Sequence, residues 1–558
     1  MIMFVLSPRL LALLLFVTLL GLSVDPACAG DDAVTGRLIE LLVKKGVLPA
    51  DEAAALLTEA KAGKPKSGKV KAAKNTPAPV PDEEPTVPGE VRVTYVPQII
   101  RDQIAQQVRT DMLRAEVSGE SPKPVAVPDR FHFFGDLRLR GEMDRLPGSN
   151  APQFLDFASI NGGSPFDANG LSSSPPLLNT TENRSRYRLR ARAGVDVDID
   201  DGITAELRLA TGNDASPVSA NQTLGQNGPF TKYAAWIDRA FVKAEPYDWF
   251  TAFAGRMSNP FWTTDLVYYD DLGFDGFAAT LSPRFSKNFK GFLSIGAFPV
   301  FNTAFNFGTT SPNSGYASRD AWLGGVQAGG EWRASDRIVT KFAAGYFSYS
   351  GISGKTSSPC TLVFPSDTCD TDNTRALFPG TGNTMLAVRN ILSAPNNTQP
   401  QYFGLASPFH ILDLHGRVNL EYFNPVVISL ESEFAVNLAF NHTRAVAVGV
   451  NNFGSAGLPD PGNKAAMIKV SVGTPELAAR WDWNVSLTYK YIESDSVLAS
   501  LNDPDFHLGG TNAKGYILAG NLAIARNTWI TARWLSTTQV SGAPYAVDVL
   551  QADLNVKF

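Results

Sequence analysis

Arg184, Arg186, Arg188, Arg190 and Arg192 occupy every second position of the stretch "NRSRYRLRARAGVDVDI". On an extended strand that spacing puts five guanidiniums on one face and Tyr187, Leu189, Val195 and Val197 on the other. Adjacent arginines on such a face lie roughly 7 Å apart. They repel by about 0.6 kcal/mol in water and by far more in a low-dielectric medium. The charged face must therefore meet water. Two settings allow this: an exposed sheet on a soluble protein, or the wall of a water-filled lumen whose apolar face rests on lipid.

Other charged residues extend the pattern. Arg138, Arg140 and Arg208 lie on neighbouring candidate strands and would widen the basic wall. The segment "TTDLVYYDDLGFDG" carries Asp265, Asp270, Asp271 and Asp275. An acidic loop set against a basic wall makes a transverse field at a constriction, which orients dipolar solutes and disfavours apolar ones. The competing reading is that these aspartates merely cap a surface loop. The five histidines, His132, His410, His415, His442 and His507, show no spacing of a helical metal pair. No G-x-S-x-G, phosphate-binding loop or cysteine cluster occurs. We expect no catalytic residue, metal or cofactor. A hydrolase on a barrel would need a serine–histidine pair on the lipid face, and the sequence alone places none. The net charge of −5 gives no argument for nucleic acid.

The elements that must hold these residues are strands. From Phe131 onward apolar and polar residues alternate. "GDLRLRGEM" opposes Asp136, Arg138, Arg140 and Glu142 to Leu137, Leu139 and Met143. "VVISLESEFAVNLAF" and "RWDWNVSLTYKY" behave alike. About sixteen strands are expected, starting near residues 131, 184, 203, 235, 250, 272, 289, 321, 337, 411, 426, 464, 480, 512, 528 and 547. Long and short connections alternate along the chain, so loops gather at one end and turns at the other. That order suits a closed antiparallel barrel in an outer membrane, all-β and transmembrane, with both termini on the turn side. Trp249, Trp262, Tyr268, Tyr269, Trp481, Trp483, Tyr489, Tyr491, Trp529 and Trp534 are expected in interfacial girdles. The last strand, "VLQADLNVKF", alternates cleanly and ends on Phe558, which reads as a signal to outer-membrane assembly machinery.

The N-terminal part reads differently. Arg9, an apolar run and "SVDPACAG" make residues 1–29 a signal peptide cut after Ala29. Residues 30–63 read as a short helical segment, 64–90 as a Lys/Pro-rich linker, 91–117 as an amphipathic helix and 118–130 as a second linker. The barrel is assigned to residues 131–558. Export leaves Cys360 and Cys369 in an oxidising compartment, where a local disulfide is expected.

The stretches "GRLIELLVKKGVLPADEAAALL", "VRVTYVPQIIRDQIAQQVR", "FGDLRLRGE", "NRSRYRLRARAGV" and "AGRMSNPFWTTDLVYYDDLGFDGFA", with the final Phe, resemble the putative porin family of Gram-negative outer membranes. The resemblance covers nearly the whole mature sequence and implies a pore-forming barrel without naming its solutes. The expected function is passive diffusion of small hydrophilic solutes or ions through an arginine-lined lumen. The expected partners are outer-membrane lipid, the solutes and the assembly machinery, and a homotrimer is open. The alternatives are an adhesin or structural barrel with a plugged lumen and, behind it, a barrel-embedded hydrolase. The long loop at 351–410 is the candidate plug.

Overall fold

A computed structural model describes residues 130–558, apart from 171–174, 215, 227, 303–319, 365 and 451–459. The signal peptide, helical segment and amphipathic helix read at 1–117, and all but the end of the linker at 118–130, lie outside the described residues.

Sixteen antiparallel strands form one closed sheet. The first quarter comprises β1 (Phe131–Arg145), β2 (Arg184–Asp200), β3 (Ile203–Ala210) and β4 (Trp236–Tyr247). Next come β5 (Phe250–Met257), β6 (Phe274–Leu281), β7 (Phe289–Phe301) and β8 (Ala321–Ser335). They are followed by β9 (Ile338–Ser350), β10 (Phe409–Phe423), β11 (Val426–Asn437) and β12 (Lys464–Gly473). The last four are β13 (Trp483–Ile492), β14 (Ala513–Ala525), β15 (Thr528–Gln539) and β16 (Ala546–Lys557). Each pairs with its neighbours in sequence, and β1 pairs with β2 on one side and β16 on the other. No edge is left, so every strand meets a neighbour on both sides.

The burial pattern is inverted relative to a water-soluble protein. Leu414, Leu430, Phe434, Ile468, Val470, Leu487, Leu518, Ile530, Trp534 and Leu550 are exposed. Asp413, His415, Glu433, Lys490, Gln551 and Asp553, which face inward on the same strands, are buried. An apolar band of that extent is unstable in water and stable in a bilayer. Because the side-chain period is two, the same alternation gives every strand its greasy outside and polar inside.

The turns at 201–202, 248–249, 282–288, 336–337, 424–425, 474–482 and 526–527 lie at one end. The strand ends joined by the connections 146–183, 211–235, 258–273, 302–320, 351–408, 438–463 and 493–512 lie at the other. The strict length alternation relaxes at the eighth connection, 540–545, which is short although it sits on the loop side. There the loop 146–183 roofs it: Ala151 N–H donates to Pro544 O at 2.8 Å, and Asn150 bonds both polar groups of Ala546. The strands β3, β5 and β6 are the shortest of the barrel. Beside β3, the short extended segment Gln222–Thr223 pairs with the upper part of β2 and fills the gap.

Candidate functional site

The register of β1 against β2 explains the arginine row. Asp136 sits opposite Arg192, Glu142 opposite Arg186 and Asp144 opposite Arg184. Each forms an ion pair: Arg192 Nε to Asp136 at 2.7 Å, Arg184 Nε to Asp144 at 2.8 Å, and Arg186 to Glu142. In the middle of the wall the pairing is like against like, Arg138 opposite Arg190 and Arg140 opposite Arg188. Like charges directly opposite destabilise a sheet. Asp136 and Glu142 reach Arg190 and Arg188 from the side, at 3.0 and 3.5 Å, but both are shared with Arg192 and Arg186, so the centre of the wall keeps an excess of positive charge.

Two loops bring the missing negative charge. From the loop 258–273, Asp271 accepts from Arg192 Nη1 at 2.7 Å and from Arg190 Nη1 at 3.1 Å. From the loop 493–512, Asp505 accepts from Arg140 Nη1 at 2.7 Å and from Arg533 Nη1 on β15 at 2.9 Å. Arg188 approaches Asp505 at 4.0 Å and Glu142 at 3.5 Å. Arg140 also forks onto Asp553 of β16 with two bonds of 2.8 Å. Burial alone would raise the Asp505 carboxyl, but Arg140, Arg533 and Arg188 overcome it and hold it well below the usual carboxylate range. The same balance lowers Asp271, where Arg190, Arg192 and Arg138 outweigh burial.

The two loops also brace each other inside the barrel. Asp503 N–H donates to Asp265 O at 3.0 Å, and Tyr269 N–H to Leu501 O at 2.9 Å. Lys490, buried on β13, reaches Asp265 and Asp503 at 2.9 Å each. The other side of the loop 258–273 is apolar. Phe261, Leu266, Tyr268 and Leu272 join Met257, Phe274, Phe298 and Phe347 in one buried cluster. Phe261 meets Phe347 edge-on with ring centroids 4.9 Å apart. The loop's remaining ties are polar: Gln327 bonds both backbone groups of Trp262, and Glu433 accepts from Thr264 N–H at 3.0 Å. The inner wall is thus not uniformly wet. It is polar along β1–β3 and β14–β16, and apolar where β5–β9 support the loop.

The residues singled out from sequence are placed as follows. Arg138, Arg140 and the row Arg184, Arg186, Arg188, Arg190 and Arg192 share the inward face of β1 and β2. Arg138 bonds Asn221 Oδ1 at 2.5 Å and has no carboxylate within ion-pair distance among the described residues. Arg208, on β3, is taken up by Asp238 at 2.6 Å. Asp265 and Asp271 belong to the inserted loop, and Asp270 between them is exposed to water. Asp275 corrects the expectation of one four-aspartate loop. It lies on β6 as an exposed residue paired with Arg256 at 2.7 Å, because the strand begins at Phe274. The expected girdle also loses members. Trp262, Tyr268 and Tyr269 are inside, Trp262 stacked on His415 at 3.7 Å, because the loop carrying them folds inward. Trp529 pairs with Asn555 and shares its inward face. Cys360 and Cys369 are disulfide-bonded within the loop 351–408.

Sequence reasoning missed Asp503, Asp505, Lys490 and Glu433. The available signal was a lysine on the polar face of "SLTYKY" and two carboxylates in "NDPDF". A serine–histidine contact on the outer face was also missed. Ser348 Oγ lies 3.0 Å from His410 Nδ1, with Tyr346 Oη equally close to that nitrogen. Among the described residues no carboxylate bonds the second nitrogen of His410, so the pair lacks the group that would orient a general base. Among the described residues no cluster of His, Cys, Asp or Glu has the makings of a metal site.

A family model described as "Putative porin" matches residues 32–558. The chain belongs to that porin family. Among solved structures, the porin is similar to the outer membrane channel DcaP of Acinetobacter baumannii, at 8% identity over 77% of this chain and 97% of that one, with a TM-score of 0.34. Pseudomonas putida OprB in its high-pH structure shares 9% identity over 77% and 94% of the chains, with a TM-score of 0.41. Salmonella typhi OmpF in complex with daunomycin shares 9% over 77% and 97%, with a TM-score of 0.36. A search of curated proteins returns no match.

Proposed function

We propose that this porin passes small hydrophilic solutes or ions by passive diffusion across the outer membrane, through a lumen whose basic wall is the arginine row of β1 and β2. The observation that carries the reading is the seating of Asp271 and Asp505 on that wall. Two loops held there narrow the passage and set carboxylates beside guanidiniums, so the field at the narrow point is strong and local. Asp270 supports a wet passage, since it stays exposed to water on the inserted loop. Export through a cleaved signal peptide, handling of Phe558 by assembly machinery and a homotrimer belong to the same proposal.

Planar-bilayer recording tests it. The wild type gives stable channels with a defined reversal potential in a salt gradient. Arg138→Glu and Arg190→Glu move that potential toward cation preference, with Arg190→Glu also raising conductance as Asp271 loses a partner. Channels whose selectivity ignores both changes would remove the row from the pore. A second reading, a plugged structural barrel, is favoured by the apolar cluster beneath the loop 258–273. It predicts a folded protein with no conductance.

A further inference from the structure

A second line of charge crosses the lumen wall on β7–β12, away from the arginine row. Lys290 stands opposite Glu331, Glu331 opposite Lys341, Lys341 opposite Arg417, Arg417 opposite Glu431, and Glu431 opposite Lys469. The period of two puts all six on the inward face, in step with the buried Ser294, Gln327, Ala343, His415, Glu433 and Met467 of the same strands. The charges run plus, minus, plus, plus, minus, plus. Within this line only Lys341 and Arg417 are two cations directly opposite each other with no carboxylate between them.

The flanking carboxylates leave these two cations open. Among the described residues no carboxylate comes within ion-pair distance of Lys341. Its ammonium stands over the Trp262 ring instead, 4.2 Å from the centroid, with the Phe292 ring at 5.4 Å. Arg417 leans on the same indole at 5.5 Å. Its one ion pair is long, 3.8 Å to Glu431, which already bonds His415 Nε2 at 3.2 Å. An aromatic ring orients a cation without cancelling its charge. The indole is itself fixed, stacked on His415 and tied through both backbone groups to Gln327. The Arg417 side chain is 38% exposed, so the pair is open to the lumen. Glu433 and Asp413 lie further along the same strands, but both are buried and do not compete from the water side. Asp270, exposed on the inserted loop, lies near Lys469.

We propose that Lys341 and Arg417 form a binding site for small organic carboxylates. The planar fork of Arg417 takes the two carboxylate oxygens, and the Lys341 ammonium donates to one of them from the side. Trp262 and Phe292, both partly open, border the apolar body of the solute. The site lies in the turn-side half of β9 and β10, eight strands round the barrel from β1 and β2. A passing anion therefore meets two separate basic stations. Binding rests on this geometry alone; that the bound anion is in transit rests on the diffusion reading above.

The test is isothermal titration of the full-length porin in detergent and low chloride, with benzoate, benzamide and benzylammonium as probes. The wild type should bind benzoate most tightly. Lys341→Met and Arg417→Met keep an apolar stem beside Trp262 but lose the charge, and each should weaken benzoate about tenfold, the loss of a charge-assisted bond. Arg333→Met, whose cation is already paired with Glu421 at 3.4 Å, should bind as the wild type does. Glu331→Gln removes the carboxylate opposite Lys341 and should tighten benzoate severalfold, a gain that damage to the fold does not produce. Benzoate bound no better than benzamide, equal binding by wild type and both methionine variants, or no gain in Glu331→Gln overturns the site. A loss in Arg333→Met as large as in the other two also overturns it, leaving only general lumen charge. Conductance of the same preparations separates the two readings. Carboxylate-selective binding without channels sinks the diffusion reading and leaves the site, whereas channels without carboxylate preference sink the site alone.

Discussion

Asp505 shows how single residues set the character of this lumen. A guanidinium opposite a guanidinium is tolerable only if a carboxylate comes between or beside them, and at Arg140 and Arg188 β1 supplies only Glu142, at 3.9 and 3.5 Å and already shared with Arg186. Asp505 arrives from a loop 365 residues away in sequence from Arg140 to fill the role. In Asp505→Asn the contact survives as a neutral amide, but the charge does not. Arg140 keeps Asp553, and Arg533 keeps Gln551 Oε1 at 3.0 Å, so the barrel should still form. The seating of the loop 493–512 should weaken by about 3–5 kcal/mol, as for a buried pair that loses one partner. The lumen gains one unit of net positive charge. Reversal potentials in a potassium chloride gradient should shift toward anions, and a shift toward cations would contradict the placement of Asp505 beside the arginines.

At the scale of elements, the strands were readable and the inserted loops were not. Every expected strand start falls within three residues of the observed one, because strand period and turn chemistry are local properties. The carboxylates of "GDLRLRGEM" were also visible. What the sequence hid was their register against the arginines, which is a property of two strands separated by a long loop. Asp265 and Asp271 stood out as an acidic segment, but nothing local says that Lys490 and Asp503 would meet them. His507, in the same hidden loop, gives a pH test of how firmly that loop sits. Its ring is buried, with Nδ1 2.9 Å from Thr537 Oγ1, and burial lowers its pKa from 6.5 to about 4. The seated loop keeps the imidazole neutral while the released loop protonates it. The contribution is therefore whole above pH 6.5 and is lost as pH falls toward 4, by about 2 kcal/mol at pH 5. Asp505, held low, acts only below the ordinary carboxylate range. Asp495 and Asp503, raised by burial, act in the opposite sense at the lower end of the window. Comparison with His507→Gln isolates the imidazole. Hydrogen exchange of residues 493–512, corrected for intrinsic rate, should lose about thirtyfold more protection between pH 7 and pH 5 in the wild type than in the variant. Equal losses would mean that the ring is not sealed from water.

At the scale of the whole molecule, everything depends on closing one seam. β1 and β16 pair from Asp136–Lys557 to Arg145–Asp548, joining the two ends of the barrel segment. Such a contact carries the largest loop-closure entropy in the fold and should form late. Beyond the backbone pairing and the bond from Gln551 to Glu142 at 3.0 Å, two devices hold it. In the middle, Arg140 forks onto Asp553 across 413 residues of sequence. At the turn end, Gly135 N–H donates to Phe558 O at 2.9 Å, and Phe558 N–H returns to Gly135 O at 3.0 Å. The Phe558 ring lies over Gly135 so closely that a Cβ there would stand 2.6 Å from Cζ, and 2.6 Å from the Arg192 carbonyl on β2. Glycine is thus required because ring and backbone fill the space of any side chain. Deleting Phe558 removes both backbone bonds and the ring but leaves the arginine fork. The folded fraction, read as the heat-modifiable band on a gel, should fall severalfold, while channels that do form keep wild-type conductance, since Phe558 is exposed and bonds no residue of the inserted loops among the described residues. Gly135→Val should fail more completely, because it meets backbone as well as ring. If the deletion folds at wild-type yield, the turn-end clasp is dispensable, and the strand pairing with the Arg140–Asp553 fork and the Gln551–Glu142 bond is enough to hold the cylinder shut. A deletion that folds normally but changes selectivity would instead place the seam's end in the conducting path.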